Sequence, residues 1–195
     1  IRIQWNPVSE KVEVVNNNAM DQNGLKAEAM IVNYDGKVVY QTSADLDSKE
    51  DTTTPVFGLS FDSPEISDVY YIKLRLTQGD RLIADNFYSL GKEYGNLRQL
   101  HSLPKVKIDA VTSMEKTGDE WKATVQLKNN ADVPALMIRL KVQGKKTGER
   151  ILPAYYSDNY MSLLPGEDKE VTITFKDEDT RGERPAVEVS GFNVN

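Results

Sequence analysis

The sequence predicts an all-β protein built from two antiparallel β-sandwiches in tandem. First, 195 residues is long for one small sandwich but comfortable for two domains of about 100 residues each. Second, apolar and polar residues alternate with a period of two, and no segment carries a sustained helical stripe. Third, short turns rich in Gly and Asp separate the alternating segments, as strands joined by hairpins require.

In the first half, alternation is clearest in three segments. They are KVEVV, LKAEAMIV and YYIKLRL, at residues 11–15, 25–32 and 70–76. Each predicts a strand with one face buried. Asp35-Gly36 and Gly79-Asp80 follow such strands, and both dipeptides tolerate the positive φ of a tight hairpin turn. The first half therefore predicts successive antiparallel strands.

The second half repeats this organisation. WKATVQLKN and EVTITF alternate at residues 121–129 and 170–175, and Thr117-Gly118-Asp119 predicts a turn before the first of them. Leu164-Pro165-Gly166-Glu167 places Pro and Gly at the two central positions of a type II turn. Both halves thus predict immunoglobulin-like antiparallel β-sandwiches of about seven strands each.

The predicted linker is residues 91–104, GKEYGNLRQLHSLP, where the alternation stops. We assign residues 1–98 to the first sandwich and residues 99–195 to the second. The first letters, IRIQW, already read as a strand and begin at Ile1. We therefore expect an excised or processed piece of a longer polypeptide.

Composition narrows the possible function classes. Hydrophobic residues make up 39% and charged residues 28%, which is typical of a globular chain with two modest cores. The absence of cysteine excludes disulfides, thiolate nucleophiles and thiolate metal sites. The net charge of −6 argues against nucleic acid or an anionic membrane as partner, and no apolar run reaches the length of a membrane span.

Residues suited to catalysis are few. His101 is the only histidine and lies in the predicted linker, where packing or solvation is the favoured interpretation. Asp177, Glu178 and Asp179 form an acidic run without the spacing of a calcium loop, which favours a solvated loop. Carboxylate pairs at glycosidase spacing stay open, because each half contains many acids. We predict no catalytic residue, metal or cofactor in this chain.

Aromatic side chains are the remaining candidates for ligand binding, because sugars stack on exposed rings. Trp5 and Trp121 stand in alternating strands, where core packing is favoured. Exposure is expected instead in the loop and edge strand that follow Pro153. The candidate carbohydrate-binding residues there are Tyr155, Tyr156, Asp158, Asn159 and Tyr160.

Two segments share most of their letters: DNFYSL at residues 85–90 and DNYMSL at residues 158–163. The first ends its domain, whereas the second lies in the middle of its domain and is followed by further predicted strands. Equivalent strands of two superposable sandwiches cannot occupy such different places. We therefore interpret the shared letters as chance and not as a repeated site.

Three segments carry a resemblance to a known family: LHSLP, SDNYMSLLPGE and VEVSGFNV, at residues 100–104, 157–167 and 187–194. They resemble the C-terminal immunoglobulin-like domain of glycoside hydrolase family 2, in the branch of β-mannosidase, exo-β-glucosaminidase and glycoprotein endo-β-mannosidase. The first half resembles the sandwich that precedes it in those enzymes. Met161 and Phe192 depart from the aromatic residue and the Trp common in relatives, which reduces the surface for stacking.

The resemblance implies a non-catalytic accessory region that braces the catalytic TIM barrel of the same polypeptide. It implies a retaining exo-glycosidase whose two catalytic glutamates lie in that barrel, and an extracytoplasmic location. Two alternatives are a carbohydrate-binding module that takes oligosaccharide through Tyr155, Tyr156 and Tyr160, and a cell-surface spacer.

Overall fold

The structure is a computed structural model that describes all residues from Ile1 to Asn195. The chain divides into two compact units, Ile1–Ser102 and Leu103–Asn195, here called the N domain and the C domain. Both are sandwiches of two antiparallel sheets, which confirms the predicted all-β, immunoglobulin-like class. No helix has the length and apolar character needed to cross a membrane.

The N domain contains seven strands in two sheets. They are β1 Arg2–Asn6, β2 Lys11–Asn16, β3 Gln22–Asn33, β4 Val38–Ser48, β5 Thr52–Gly58, β6 Val69–Gln78 and β7 Arg81–Gly91. One sheet has the order β1-β2-β5 and the other β4-β3-β6-β7. The alternating side chains of β2, β3 and β6 point between the sheets and form the core, including Val12, Leu25 and Leu74.

The C domain also contains seven strands, two of them very short. They are β8 Asp109–Thr117, β9 Glu120–Lys128, β10 Ala135–Gly144, β11 Ala154–Tyr156, β12 Met161–Leu163, β13 Asp168–Lys176 and β14 Pro185–Ser190. The sheets have the orders β11-β13-β9-β8 and β12-β10-β14. Val125, Leu140 and Ile173 are among the fully covered residues of the core between them.

The predicted turns form where the sequence places them. Gly79 and Gly118 adopt positive φ in two-residue connections, β6 to β7 and β8 to β9. In the predicted type II turn, Gly166 has a φ of 79° and the Glu167 N–H donates to the Leu164 carbonyl at 3.1 Å. These turns set the register of the strands they join.

Gly91 ends β7, and residues 92–102 form the connection that follows. Gly91 is required there because a Cβ at this position would lie 2.3 Å from the Asn96 carbonyl oxygen. A 3₁₀ helix, Arg98–Ser102, follows and carries His101 on its exposed side. The histidine thus lies on a surface element.

A buried asparagine lies at the end of the second strand of each domain, as the last residue of β2 and as the residue directly after β9. Asn16 and Asn129 both have 0% exposure. In each, Oδ1 accepts the N–H two residues later at 3.1 Å, and Nδ2 donates to the carbonyl four residues later at 2.9 Å. The same side-chain bonds at the same strand end show that β2 and β9 are equivalent strands.

Candidate functional site

The predicted carbohydrate-binding residues lie where the chain crosses from one sheet of the C domain to the other. β11 pairs with β13, whereas β12 pairs with β10 in the opposite sheet. The crossing is therefore made by residues 157–160 at the surface of the sandwich. The five candidate residues, on β11 and in this crossing, divide into two exposed rings and three side chains that hold the crossing in place.

Tyr155 and Tyr160 are the exposed rings, with 70% and 55% of their surface accessible. Tyr155 lies opposite Thr174 on β13. Tyr160 has a φ of 57°, in the left-handed region that a tyrosine rarely occupies. Both rings are accessible to an external ligand, Tyr155 from β11 and Tyr160 from the crossing.

Tyr156 and Asn159 act as structural residues. The Tyr156 ring is half-buried against the core, and its hydroxyl accepts the Val142 N–H at 3.2 Å. Asn159 accepts the Leu140 N–H at 2.8 Å and donates to the Leu140 carbonyl at 3.0 Å. Both side chains complete hydrogen bonds with the backbone of β10 and are not available to a sugar.

The Asp158 side chain also has partners within the domain. Its carboxylate accepts the Asn159 N–H at 2.7 Å and forms an ion pair with Lys169 Nζ at 2.5 Å. Met161 is buried in the core, while Phe192 is 39% exposed. The structure therefore leaves Tyr155 and Tyr160 as the accessible rings of the predicted set.

Trp5 and Trp121 are half-buried and pack against the two cores, as predicted. Trp121 Nε1 donates to Asp177 Oδ1 at 2.7 Å, and Lys116 Nζ lies 2.6 Å from the other oxygen of the same carboxylate. The hydrogen bonds from Lys116 and Trp121 lower the pKa of Asp177. The acidic run thus contributes an anchor for the β8–β9 hairpin, and the structure contains no cluster of three or more metal-binding side chains.

An open cleft of about 480 Å³ lies between the two sheets of the C domain. It is lined by Thr112, Met114, Trp121, Lys145, Arg184, Pro185, Ala186 and Val187. Most of the lining residues belong to β8 and β14, each of which is the last strand of its sheet, and Trp121 comes from β9. The lining combines apolar side chains with one hydroxyl and two cations, and it contains no carboxylate side chain.

The local backbone brings the two cations of this cleft together. The Lys145 N–H donates to the Arg184 carbonyl at 2.9 Å. The Glu183 carboxylate accepts the N–H groups of Lys146 and Thr147 at 3.3 and 3.4 Å and so fixes the turn that follows β10. Burial raises the pKa of Glu183, but its hydrogen bonds outweigh this effect and lower the pKa overall.

A second cleft, of about 460 Å³, lies in the N domain beside the start of β6. It is lined by Asp68, Val69, Lys92, Glu93, Asn96, Arg98 and Gln99. Gln99 Oε1 accepts the Val69 N–H at 3.0 Å, and Asn96 Nδ2 donates to Glu93 Oε2 at 2.9 Å. Its acids alternate with cations and amides, so these polar groups serve to order the segment after β7.

The residues of the C-domain cleft do not stand out in the sequence. Lys145-Lys146 is a short basic pair, and the alternation of residues 186–189 predicts only a strand. The available signal is the position of the strands, since only one alternating segment follows EVTITF in the second half, whereas β6 and β7 both follow β5 in the first. That shortage indicates an incompletely covered sheet edge.

Two family profiles together match almost the whole chain. The exo-β-D-glucosaminidase Ig-fold domain matches residues 86–194, which is more than half of the chain. The mannosidase Ig/CBM-like domain matches residues 10–92. Each profile therefore covers most of one of the two sandwiches.

Curated relatives are longer than this chain. An exo-β-D-glucosaminidase of Streptomyces avermitilis is 31% identical over all of this chain and 24% of its own length. The enzyme of the same name from Amycolatopsis orientalis is 27% identical over all of this chain and 21% of its own length. A mannosylglycoprotein endo-β-mannosidase of Lilium longiflorum is 33% identical over 43% of this chain and 9% of its own. The chain spans less than a quarter of the length of these relatives.

Solved structures share the fold. The exo-chitosanase of Amycolatopsis orientalis superposes with a TM-score of 0.93 at 24% identity, over 98% of this chain and 25% of that one. A β-D-mannosidase of Dictyoglomus thermophilum superposes with a TM-score of 0.68 at 14% identity, over 99% of this chain and 22% of that one. In both, the likeness covers about a quarter of a larger protein.

Proposed function

Because the chain belongs to the family of exo-β-D-glucosaminidase Ig-fold domains, we propose that it braces the catalytic barrel of a glycoside hydrolase as a non-catalytic accessory region. The proposal rests on how much of this chain and how much of each relative the alignments cover. Relatives align with the whole chain, yet it accounts for only 24% of the first of them and 21% of the second. The chain matches the Ig-like, non-catalytic region of such enzymes.

The chemistry of the cleft between β8 and β14 supports an accessory role. A retaining glycosidase needs two carboxyl groups about 5 Å apart, one as acid and base and the other as nucleophile. The C-domain cleft offers Lys145 and Arg184 and no carboxylate. It cannot provide that pair.

Both domains have exposed apolar side chains that a bracing interface would use. Val111, Met137 and Leu152 of the C domain are 70%, 53% and 57% exposed. Val8 and Met20 of the N domain are more than half exposed as well. The proposal places side chains of this kind against the barrel, because contiguous apolar patches mark surfaces that pack on another protein.

The complete polypeptide, in this proposal, is a retaining exo-glycosidase that acts on β-glucosaminides or β-mannosides outside the cytoplasm. Its two catalytic glutamates lie in the barrel and therefore outside these 195 residues. The relatives' names support the substrate class, and the location rests on the resemblance alone.

Immunoblotting tests the proposal, with an antibody raised against the purified chain and used on extract of the source cells. We expect a band several times larger than the 21.9 kDa of the chain. The immunoprecipitated band should hydrolyse aryl β-glucosaminides or β-mannosides, whereas the purified 195-residue chain should not. A band at the mass of the chain, or turnover by the purified chain, contradicts the proposal.

A second candidate function is carbohydrate binding through Tyr155 and Tyr160, which the exposure of both rings favours. Isothermal titration with glucosamine and mannose oligosaccharides separates the two functions. A binding module should give saturable heat that Tyr155→Ala and Tyr160→Ala abolish. Tyr94→Ala is the matched control, because Tyr94 is fully exposed in the other domain.

A further inference from the structure

The N domain shows how a complete edge of this sandwich is built. β7 pairs with β6 along its whole length and also covers β1 of the opposite sheet. Asn86 Nδ2 donates to the Ile3 carbonyl at 3.3 Å, and the Trp5 N–H donates to the Tyr88 hydroxyl at 3.2 Å. The rings of Trp5 and Tyr88 meet edge to face with centroids 6.2 Å apart. Ile3 is left only 1% exposed.

The C domain has no strand in the place of β7. β14 corresponds to β6, since each pairs with the third strand of its domain, but β14 is the last strand of its sheet. Ile3 and Trp5 pair with the residues two and four positions before Asn16. Ala110 and Thr112 on β8 pair with the residues two and four positions before Asn129, so they correspond to Ile3 and Trp5. Ala110 and Thr112 are exposed. The inward face of β8 therefore has no cover.

The two edges also differ in how well they bury their apolar side chains. On β6, four inward residues are at most 7% exposed: Tyr70, Ile72, Leu74 and Leu76. On β14, the inward residues Val187 and Val189 are only half-buried. The cleft of about 480 Å³ occupies the corresponding space between β8 and β14. The cleft thus lies at the place that β7 fills in the N domain.

Two cations at the rim of the cleft favour a ligand with a negative charge. Lys145 and Arg184 are exposed beside the N-terminal end of β14, and neither takes part in an ion pair of the C domain. A strand that runs antiparallel to β14 would end near them. An acidic residue at that end would meet two unpaired cations beside the apolar side chains of the cleft.

We propose that the β8–β14 edge of the C domain is an acceptor site for an extended peptide strand from outside these 195 residues. The strand adds antiparallel to β14, as β7 does to β6, and carries apolar side chains at alternate positions and an acid near its C-terminal end. A sugar is a poorer fit, since Thr112 is the one uncharged polar side chain of the lining. The site goes beyond the proposed bracing function and does not depend on it.

Nuclear magnetic resonance of the ¹⁵N-labelled 195-residue chain tests the proposal. The probe is the peptide acetyl-SVTVTVEE-amide, and the control is the same peptide with both glutamates replaced by lysine. We expect saturable amide shifts at Thr112, Met114 and Val187, together with slower hydrogen exchange along β14. The lysine peptide should bind about tenfold more weakly.

Charge reversal separates binding at the edge from general loss of structure. Lys145→Glu combined with Arg184→Glu should weaken the acidic peptide about tenfold and strengthen the lysine peptide by a similar factor. Lys122→Glu combined with Lys128→Glu, on the outer face of β9, is the matched control and should change neither affinity more than about twofold. Because all four side chains are exposed, the variants should keep the wild-type spectrum elsewhere.

Three results would overturn the proposal. The first is the absence of cleft shifts at millimolar peptide. The second is concentration-dependent shifts at the cleft without peptide, which would assign the edge to a second copy of the chain. The third is saturable shifts at the same amides with glucosamine oligosaccharides but not with the peptide, which would assign the cleft to sugar.

Discussion

The N domain and the C domain share a scaffold but end their second sheets differently. In the N domain β7 covers both β6 and β1, whereas in the C domain β14 and β8 are left as two edges. The centre of each core is equally well covered, since Val12 and Val125 are both fully buried. A missing strand therefore leaves the core intact and exposes only the two edge strands beside the gap.

Where the domains agree, the sequence repeats a residue with a defined structural role. Asn16 and Asn129 make the same pair of local bonds, and each also donates to a strand of the same domain, at the Ser48 and Leu163 carbonyls. The shared letters DNFYSL and DNYMSL have no such equivalence, because one is β7 and the other crosses between sheets. The feature that the two domains repeat is the buried asparagine, Asn16 in one and Asn129 in the other.

The largest expected effect is the loss of either buried asparagine. Asn16→Ala and Asn129→Ala each leave several backbone groups without a partner, which should lower the free energy of unfolding by about 3 kcal/mol. Each domain holds one tryptophan, so Trp121→Phe and Trp5→Phe backgrounds report the N domain and the C domain separately in urea unfolding. Each substitution should act on its own domain.

The neighbouring asparagines provide the controls. Asn17→Ala and Asn130→Ala change exposed side chains and should cost no more than about 0.5 kcal/mol. A loss at Asn16 or Asn129 no larger than these control values would show that the equivalent bonds do not hold the two loops, and the proposed repeat would fail.

Removing the contact by which β7 covers β1 should have the next largest effect on stability. Tyr88→Ala removes the ring that packs on Trp5 and the hydroxyl that accepts its N–H, and so makes the N-domain edge resemble that of the C domain. We expect a loss of about 2 kcal/mol in the unfolding free energy of the N domain, with a red shift of Trp5 fluorescence. Tyr88→Phe keeps the ring and should cost about 1 kcal/mol. If the two variants behave alike, ring packing does not close the edge.

The sequence predicted the sandwich class because burial between two sheets imposes a period of two. Val12, Val14 and Leu25 point inward as the alternation requires. Turn positions were predictable for a similar local reason, since Gly79 and Gly118 supply the positive φ that a tight hairpin needs. Both features depend on neighbours along the chain.

The sites were less predictable because they depend on which strands lie beside each other in space. Exposure was expected at Tyr156, yet the structure turns this ring toward the core, and nothing local to a three-residue strand specifies its face. The cleft between β8 and β14 is a missing strand, which no motif marks. The pair Lys145 and Arg184 is 39 positions apart in the numbering and meets only through the β10–β14 pairing.

A smaller effect is expected where the C domain breaks its fourth strand. β4 of the N domain is continuous over 11 residues, whereas the C domain has β11 and β12 of 3 residues each and a sheet crossing at Tyr160. Tyr160→Asn should stabilise the C domain by about 0.5–1 kcal/mol, since asparagine accepts positive φ more readily than tyrosine. Tyr155→Asn, on β11, should give no such gain. Equal changes in the urea midpoint would contradict this explanation.

The smallest expected effect concerns pH, because each domain holds its first hairpin with a different carboxylate. Burial raises the pKa of Glu13, but hydrogen bonds from Gln4, Asn6 and Ser9 outweigh it and the net pKa is lowered. The pKa of Asp177 is lowered by Lys116 and Trp121. A lowered pKa contributes stability above the unfolded-state pKa, and this contribution is lost as the pH falls through the folded-state pKa.

Glu13→Gln should therefore reduce the acid destabilisation of the N domain alone, and Asp177→Asn that of the C domain alone. The relevant pH range lies below the ordinary values of 4.5 and 3.8. The measurement is urea unfolding between neutral and acidic pH in the two single-tryptophan backgrounds. Glu10→Gln is the control for the N domain, because this exposed carboxylate lies outside the network around Glu13. A substitution that flattens the pH dependence of both domains would show that the hairpin carboxylates do not act within their own domains.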